Sequence, residues 1–403
     1  MITALIFLST YAIVAAGRAP GLRIDRTGAA LVGAILMVAT GSIGFDDAVR
    51  AVDFRTLVLL FGMMIVVAHL RLAGGLAAFV RMVTTKVTHP AALLVALIVT
   101  AGGLSAVFVN DTICLVFTPV VVDIAAARGH RPLPYLLALA TASNIGSSAT
   151  ITGNPQNMLI GSMSQIPFAS FAASLGPVAA AGLAIDAVVI WIIFRRELQP
   201  TSAEAVQLPR IRPHWPLLIK ALLVAAGVLA GFLAGFDIAV VAAAGAAALL
   251  VTRRVEPRKI YGAIDWDLLV LFIGLFVVVG AVERTGLDAR IFELLRPLGT
   301  HTVAGLSATA AALSNIVSNV PAVMLFTHLI PRLPDPHRGW LVLAMSSTLA
   351  GNLTIVGSIA NLIVVEGARR RGVTVTFGEY LRVGLPVTLA TIAVGVWWLA
   401  AGG

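Results

Sequence analysis

Residues Thr141 to Asn157 read TASNIGSSATITGNPQN, a polar, glycine-containing run inside an otherwise apolar segment at about 133 to 163. Lipid offers no water to backbone N–H and C=O groups. An interrupted helix at membrane depth therefore needs protein or a water-lined cavity around it, and such breaks mark the binding sites of secondary transporters. The stretch has a second copy. Leu353 to Asn361 (LTIVGSIAN) repeats Ala149 to Asn157 (ATITGNPQN) at an offset of 204, keeping Thr150 and Thr354, Ile151 and Ile355, Gly153 and Gly357, and Asn157 and Asn361. Two matching breaks predict one shared site.

Of the 403 residues 59% are hydrophobic and 12% charged, with a mean hydropathy of +0.97, which places the chain in the membrane class. One cysteine, Cys114, excludes an intramolecular disulfide and a CxxC metal site, and the seven histidines form no HExxH. The sequence thus predicts no enzyme, no cofactor and no metal beyond a coupling Na+ or H+. A formal charge of +9 reads as basic cytoplasmic loops rather than nucleic-acid binding. The N-terminus, MITALIFLST, lacks a basic region ahead of its apolar run and reads as a retained span.

Apolar stretches predict ten crossings at about 2–17, 27–41, 55–72, 133–163 (broken), 171–194, 215–232, 236–252, 266–282, 338–366 (broken) and 379–402. Two further apolar regions, 90–128 and 302–331, are split near their middles by Asn110-Asp111 and by Ser318-Asn319-Val320-Pro321. Their arms look short for full spans, so both read as re-entrant helical hairpins with polar tips at the midplane. Two ordinary short spans are the alternative. The mixed basic and apolar stretches Leu72 to Lys86 and Arg284 to Arg296 read as amphipathic helices in the interface.

The repeat extends beyond the breaks. Ala51 to Gly74 against Ala263 to Gly286, at offset 212, keeps Asp53 with Asp265, Gly62 with Gly274 and Gly74 with Gly286; Leu104 to Thr118 against Leu313 to Thr327, at offset 209, keeps Ser105 with Ser314 and Asn110 with Asn319. The fold predicted is an all-α polytopic membrane protein: a first repeat at 1–196, a cytoplasmic linker at 197–214 and a second repeat at 215–403. Five crossings per half, an odd number, make the repeats inverted. Of the 28 Lys and Arg, 21 then collect on one face, which is cytoplasmic by the positive-inside rule. Both termini lie outside a bacterial-type inner membrane.

At the first tip Asn110 and Thr112 offer amide and hydroxyl groups, and Asp111 is a carboxylate at a helix break with no Lys or Arg at comparable depth. A buried carboxylate without a partner is costly, so Asp111 protonates, binds a cation or faces water, as a coupling residue must. Asp186, mid-way in the fifth crossing, is the second coupling candidate; Asp123 reads as an interfacial or helix-pairing group, and Asp53 and Asp265 as solvated span entrances. The breaks leave N–H groups at half-helix starts, where anions bind without a basic side chain. Thr150, Thr152, Gly153, Asn154 and Asn157 of the first break, Thr354, Gly357, Ser358 and Asn361 of the second, and Ser318 and Asn319 of the second tip complete the candidate substrate site. Freed carbonyls with Ser105, Asn110, Ser314 and Asn319 can ligate a hard cation such as Na+. Ser143, Asn144, Ser147 and Ser148 serve equally well as interhelical hydrogen bonds. Gly153 and Gly357 permit the turn.

NDTICLVFTPVV at Asn110 to Val121, NIGSSATITGNPQNMLIG at Asn144 to Gly161 and SNVPAVMLF at Ser318 to Phe326 resemble the ion transporter superfamily, above all its arsenite-permease and citrate-transporter-like branch, related to the divalent anion/sodium symporters. The resemblance covers nearly the whole chain. It implies a homodimeric elevator transporter whose mobile transport domain holds both hairpins, 90–128 and 302–331, and both broken helices, 133–163 and 338–366. In the dicarboxylate branch each tip carries Ser-Asn-Thr, where Ser and Asn help bind Na+ and Asn-Thr contacts substrate carboxylate. Here the tips are Val109-Asn110-Asp111 and Ser318-Asn319-Val320. These departures favour the arsenite-permease-like branch with proton coupling. The expected cargo is a small inorganic anion, oxyanion or neutral oxyacid, arsenite-like, carried by symport or antiport; a Na+- or H+-coupled citrate or dicarboxylate transporter is the alternative. A channel would want a continuous polar lining, and saturable uptake separates the two. Tight arsenite capture wants several soft thiolates, so Cys114 is not an arsenic ligand. Transport in Cys114→Ala is expected to match the native protein; its complete loss with folding intact would refute this.

Overall fold

The computed structural model describes residues 1–19, 21–199, 212–251 and 254–402, and every regular element among them is helical. The core of the linker, 200–211, lies outside the described residues. Seven of the described helices are long and apolar enough to cross a membrane, so the chain is a multi-pass membrane protein.

Each predicted span appears as a helix or a broken pair. The first break separates Leu133–Ser147 from Pro155–Ser164 by the single turn Ile151–Gly153; the second separates Pro336–Ala350 from Ile359–Arg369 by Ile355–Gly357. The amphipathic stretches form Gly75–Lys86 and Leu287–Leu295, each preceded by a glycine, Gly74 or Gly286, at positive φ. One expectation needs correction. The arms of the first hairpin, Pro90–Val107 and Asn110–Ala127, are 18 residues each, long enough to cross, because helix continues up to a two-residue turn on either side of the split. Their two-residue turn, Phe108 and Val109, is buried. The second hairpin has shorter arms, Val303–Val317 and Asn319–Phe326.

The two halves interlock through equivalent contacts. Ile238–Leu250 packs on Phe54–Leu72, and Trp266–Arg284 packs on Arg26–Ala39. A Cβ placed on Gly62 would stand 2.8 Å from the Ala242 backbone, and one on Gly274 would stand 2.7 Å from the Ala30 backbone. Both partners obey the offset of 212, since Ala30 corresponds to Ala242 as Gly62 does to Gly274. Caps repeat as well: Asp25 and Asp237, at the same offset, each accept backbone N–H groups at a helix start, as do Asp53 and Asp265. The final helices of the halves, Phe168–Phe194 and Phe377–Ala400, lie antiparallel, with Trp398 Nε1 donating to the Ser174 carbonyl at 2.9 Å and Gly182 facing Thr391.

At the centre, Leu133–Ser147 is buried on every side, and Pro336–Ala350 is buried from Gly339 onward. Pro90–Val107 packs along the first and Val303–Val317 along the second. Outer helices such as Trp215–Leu233 instead expose Ile219, Leu222 and Leu223, an apolar face suited to lipid.

Gly62→Val and Gly274→Val are each expected to destabilise the detergent-solubilised protein by about 1–3 kcal/mol through overpacking at a backbone contact. Gly227→Ala, where a Cβ meets nothing within 4 Å, is the control. Equal thermal unfolding midpoints for all three would contradict the interlocked packing.

Candidate substrate and ion site

The breaks free backbone carbonyls that lipid cannot solvate, and the repeated asparagines receive them. Asn157 Nδ2 donates to the carbonyls of Ser147 (3.2 Å) and Thr150 (2.9 Å); Asn361 Nδ2 donates to those of Gly351 (2.7 Å) and Thr354 (3.0 Å). All four acceptors obey the 204 offset. Gly153 earns its place by closeness rather than by dihedral angle: a Cβ there would lie 2.1 Å from the Ser147 carbonyl oxygen. Gly357 is less tight, at 3.0 Å from Asn315 Oδ1 and from the Gly351 carbonyl oxygen.

Each broken helix then ties to the other. Asn144, fully buried, accepts from Asn110 Nδ2 (2.9 Å) and the Ser358 hydroxyl (3.1 Å), and donates to Asn352 Oδ1 (2.9 Å) and Asn361 Oδ1 (3.0 Å). Its equivalent, Thr348, accepts from Asn154 Nδ2 (3.3 Å) and Gln156 Nε2 (3.2 Å) and donates to Asn157 Oδ1 (3.4 Å). The first tip, the first break and the second break thus meet at one side chain. The second tip lies beside the second break, with Asn319 Nδ2 3.3 Å from where a Cβ on Gly351 would stand. Ser318 there adopts φ 76° and ψ 162°, a conformation that costs a non-glycine residue about 1–3 kcal/mol and that collects at functional sites.

Several polar atoms remain unpartnered in this buried region: Ser105 Oγ, Asn110 Oδ1, Ser314 Oγ and Asn319 Oδ1, with Thr354 Oγ1 and Asn315 Oδ1 beside the second break. The first four are two equivalent pairs, one per hairpin. A buried acceptor without a partner costs about 1–3 kcal/mol, and the same omission in both halves suits a bound cation or substrate hydroxyl. No group of three or more His, Cys, Asp or Glu is placed to hold a metal among the described residues. Thr150 and Thr152 turn their hydroxyls to the Ala106 and Val107 carbonyls of the first hairpin, so these two brace the tip.

Asp111 and Thr112 face away from the asparagine cluster. They line a cavity of about 80 Å³ with Val109, Met64, Val67, Ala68 and Arg71 on one side and Ala263, Asp265 and Leu268 on the other. One expectation is corrected here. Arg71 lines the same cavity as Asp111. Asp265 caps its helix and is exposed, as a solvated span entrance should be, while also lining this cavity. The cause is that the tip lies beside the ends of Phe54–Leu72 and Trp266–Arg284, an approach that sequence distance conceals. Asp123 pairs with Arg371, in keeping with a helix-pairing role. Sequence reading missed Thr348, Asn352 and Asn315; Thr348 was open to discovery as the 204-offset equivalent of Asn144.

A family model described as "Citrate transporter" matches residues 11–339. The chain belongs to the citrate transporter family. Relatives of this citrate transporter family member include the silicon efflux transporter LSI3 of Oryza sativa subsp. japonica, 33% identical over 94% of this chain and 93% of that one, and a 46 kDa membrane protein of Mycobacterium leprae, 30% identical over 98% and 97%. The putative transporter arsB of Dictyostelium discoideum is 25% identical over 93% of this chain and 87% of that one. Among solved structures, the Alcanivorax borkumensis YdaH transporter, described as having an unusual topology, aligns at a TM-score of 0.57 over 99% of this chain and 96% of that chain; at 15% identity the likeness is one of fold.

Replacing Asn144 with Leu strands two donors and two acceptors in the core. The expected result is loss of folded protein in detergent, with a cost of about 1–3 kcal/mol for each stranded group. Wild-type yield and unfolding midpoint in Asn144→Leu would deny its place as the junction.

Proposed function

We propose that this citrate transporter family protein is a secondary active transporter of a small inorganic oxyanion or its neutral hydroxide acid, arsenite-like, coupled to protons through Asp111. The observation that carries this reading is the cavity at the first tip. It is small, it holds a single guanidinium, and two carboxylates face into it. A tricarboxylate would meet like charge from Asp111 and Asp265, whereas a compact solute bearing hydroxyl groups can hydrogen-bond to Thr112, Arg71 and either carboxyl. Relatives named for silicon efflux and as arsB support a hydroxide-acid cargo.

The interlocked helices around Gly62 and Gly274 serve as a scaffold, and the hairpins with the broken helices as a transport domain that slides against it. Polar contacts between the sets include the Ser162 hydroxyl, which donates to Asp53 at 2.9 Å, and Tyr11, which donates to the Pro321 carbonyl at 3.3 Å. Asp111 sits where the sets meet, so its proton state is read by both. The antiparallel final helices support inverted halves, and the Lys and Arg excess supports termini outside and a cytoplasmic linker. The protein works as a homodimer in a bacterial-type inner membrane, its apolar outer helices facing lipid or a second copy.

A second reading, a Na+- or H+-coupled carrier of citrate or a dicarboxylate, draws on the family description and on the unpartnered pairs Ser105 with Asn110 and Ser314 with Asn319, whose neutral oxygens suit Na+. Proteoliposomes offered arsenite, silicic acid and citrate under imposed H+ or Na+ gradients decide between the two. Arsenite or silicic acid accumulation driven by H+ is expected; citrate accumulation driven by Na+ alone would overturn the first reading.

Asp111→Asn keeps size and hydrogen bonding but removes titration. Normal expression is expected, with gradient-driven accumulation lost and downhill exchange retained. Should Asp111→Asn accumulate solute with native pH dependence, the coupling role of Asp111 is wrong.

A further inference from the structure

Phe168–Phe194 carries one ionisable residue along its 27 residues, Asp186. Asp186 is fully buried, and neither carboxyl oxygen has a hydrogen-bond partner. The Thr141 hydroxyl lies beside it but donates to the Leu137 carbonyl at 2.8 Å. An ionised carboxylate so placed is an uncompensated charge inside the membrane.

Its surroundings follow from the antiparallel register of the final helices. Ser174 meets Trp398 and Gly182 meets Thr391, so one turn further Asp186 stands across from Val387 and Thr388. The Thr388 hydroxyl is buried and unpartnered, and so is Tyr380 Oη. Tyr380 interacts electrostatically with Asp186 and also neighbours Cys114 and Asn361, the last a member of the asparagine cluster. Other charged groups on the packed elements point elsewhere. Glu379 pairs with Arg131, Arg382 is exposed, and Lys220 of Trp215–Leu233 donates to the Leu249 and Val251 carbonyls. Pro90–Val107 has no ionisable residue; Leu133–Ser147 has only Tyr135, which meets His130 and Pro90; and Pro336–Ala350 has only His337 and Arg338, at its start.

We propose that Asp186 is an occluded proton-carrying site of the transport cycle, joined by Tyr380 to the asparagine cluster. In the discharge step the Asp186 O–H bond breaks as an admitted water takes that proton and gives one of its own to Tyr380 Oη, the two side chains not being hydrogen-bonded to each other. Tyr380 passes its own hydroxyl proton to water admitted at the cluster, leaving a carboxylate and a hydronium. Reloading reverses the step from the other side of the membrane. The step rests on the transporter reading and not on the identity of the cargo or on Asp111.

The test uses the full chain in proteoliposomes with two arms. In pH-difference infrared spectra, a protonated-carboxyl stretch is expected that persists in Asp111→Asn and Tyr380→Phe, vanishes in Asp186→Asn and shifts in Asp186→Glu. With arsenite as the transport probe, a one-unit pH gradient is expected to give native protein about tenfold accumulation per coupled proton. Asp186→Asn, the amide isostere of the neutral acid, is expected to lose that accumulation while keeping arsenite exchange; Tyr380→Phe slows it, and Asp186→Glu restores part. Identical difference spectra for native protein and Asp186→Asn, or native accumulation by Asp186→Asn, would overturn the proposal. The infrared arm needs no cargo, so failure of native protein to carry arsenite counts against the substrate reading alone.

Discussion

The constraint on which this structure depends is that a helix cannot stop inside a membrane unless something receives its carbonyls. Asn157 and Asn361 meet that demand, each spanning two freed carbonyls of its own break. With those donors committed, the carboxamide oxygens are left to face the opposite half, where Thr348 and Asn144 donate to them. The chemistry that makes a break tolerable is therefore the chemistry that joins the halves. Polar groups packed this densely in a core are useful only when nearly all are satisfied, which makes the few unsatisfied ones informative.

Duplication accounts for the frame, and its lapses account for the site. Gly62 against Ala242 and Gly274 against Ala30 keep the interlock equivalent in both halves. Where Asn144 holds four partners, its equivalent Thr348 has a short hydroxyl that reaches only the first break. Where the first tip carries Asp111, the second carries Val320. Titratable chemistry at a tip is thus confined to one half. A carrier with two equivalent charged tips would have to neutralise both in each cycle, while one charged tip beside a cavity that also holds Arg71 and Asp265 lets a single protonation change the local balance.

The same asymmetry extends to packing. Pro155–Ser164 rests on Phe54–Leu72, and Asn319–Phe326 on Trp266–Arg284, while the equivalent pairings of Ile359–Arg369 and Asn110–Ala127 with those scaffold helices are not among the substantial contacts. The two repeats therefore pack differently on equivalent helices, so the duplicated sequence does not impose a symmetric arrangement.

Much of this was legible in the chain. Helix existence followed from long apolar runs, because burial in lipid demands them whatever the neighbours. The breaks, the tips and the pairing of Asn157 with Asn361 followed from polar residues recurring in order at fixed offsets, which an apolar background does not produce by chance. Three things had to wait for the tertiary structure. The full length of the first hairpin's arms is one, because only the folded chain shows helix on both sides continuing up to a two-residue turn at Phe108 and Val109. Arg71 and Asp265 joined Asp111 only when two scaffold helices and a hairpin tip, distant in sequence, came together. Asp186, a coupling candidate by its place in a span, gained a neighbour only when the antiparallel register set Thr388 across from it. The chain by itself determined which segments span, break and repeat, since each is a local response to lipid; which side chains share a cavity was decided only by how the halves interlock, since that contact is non-local.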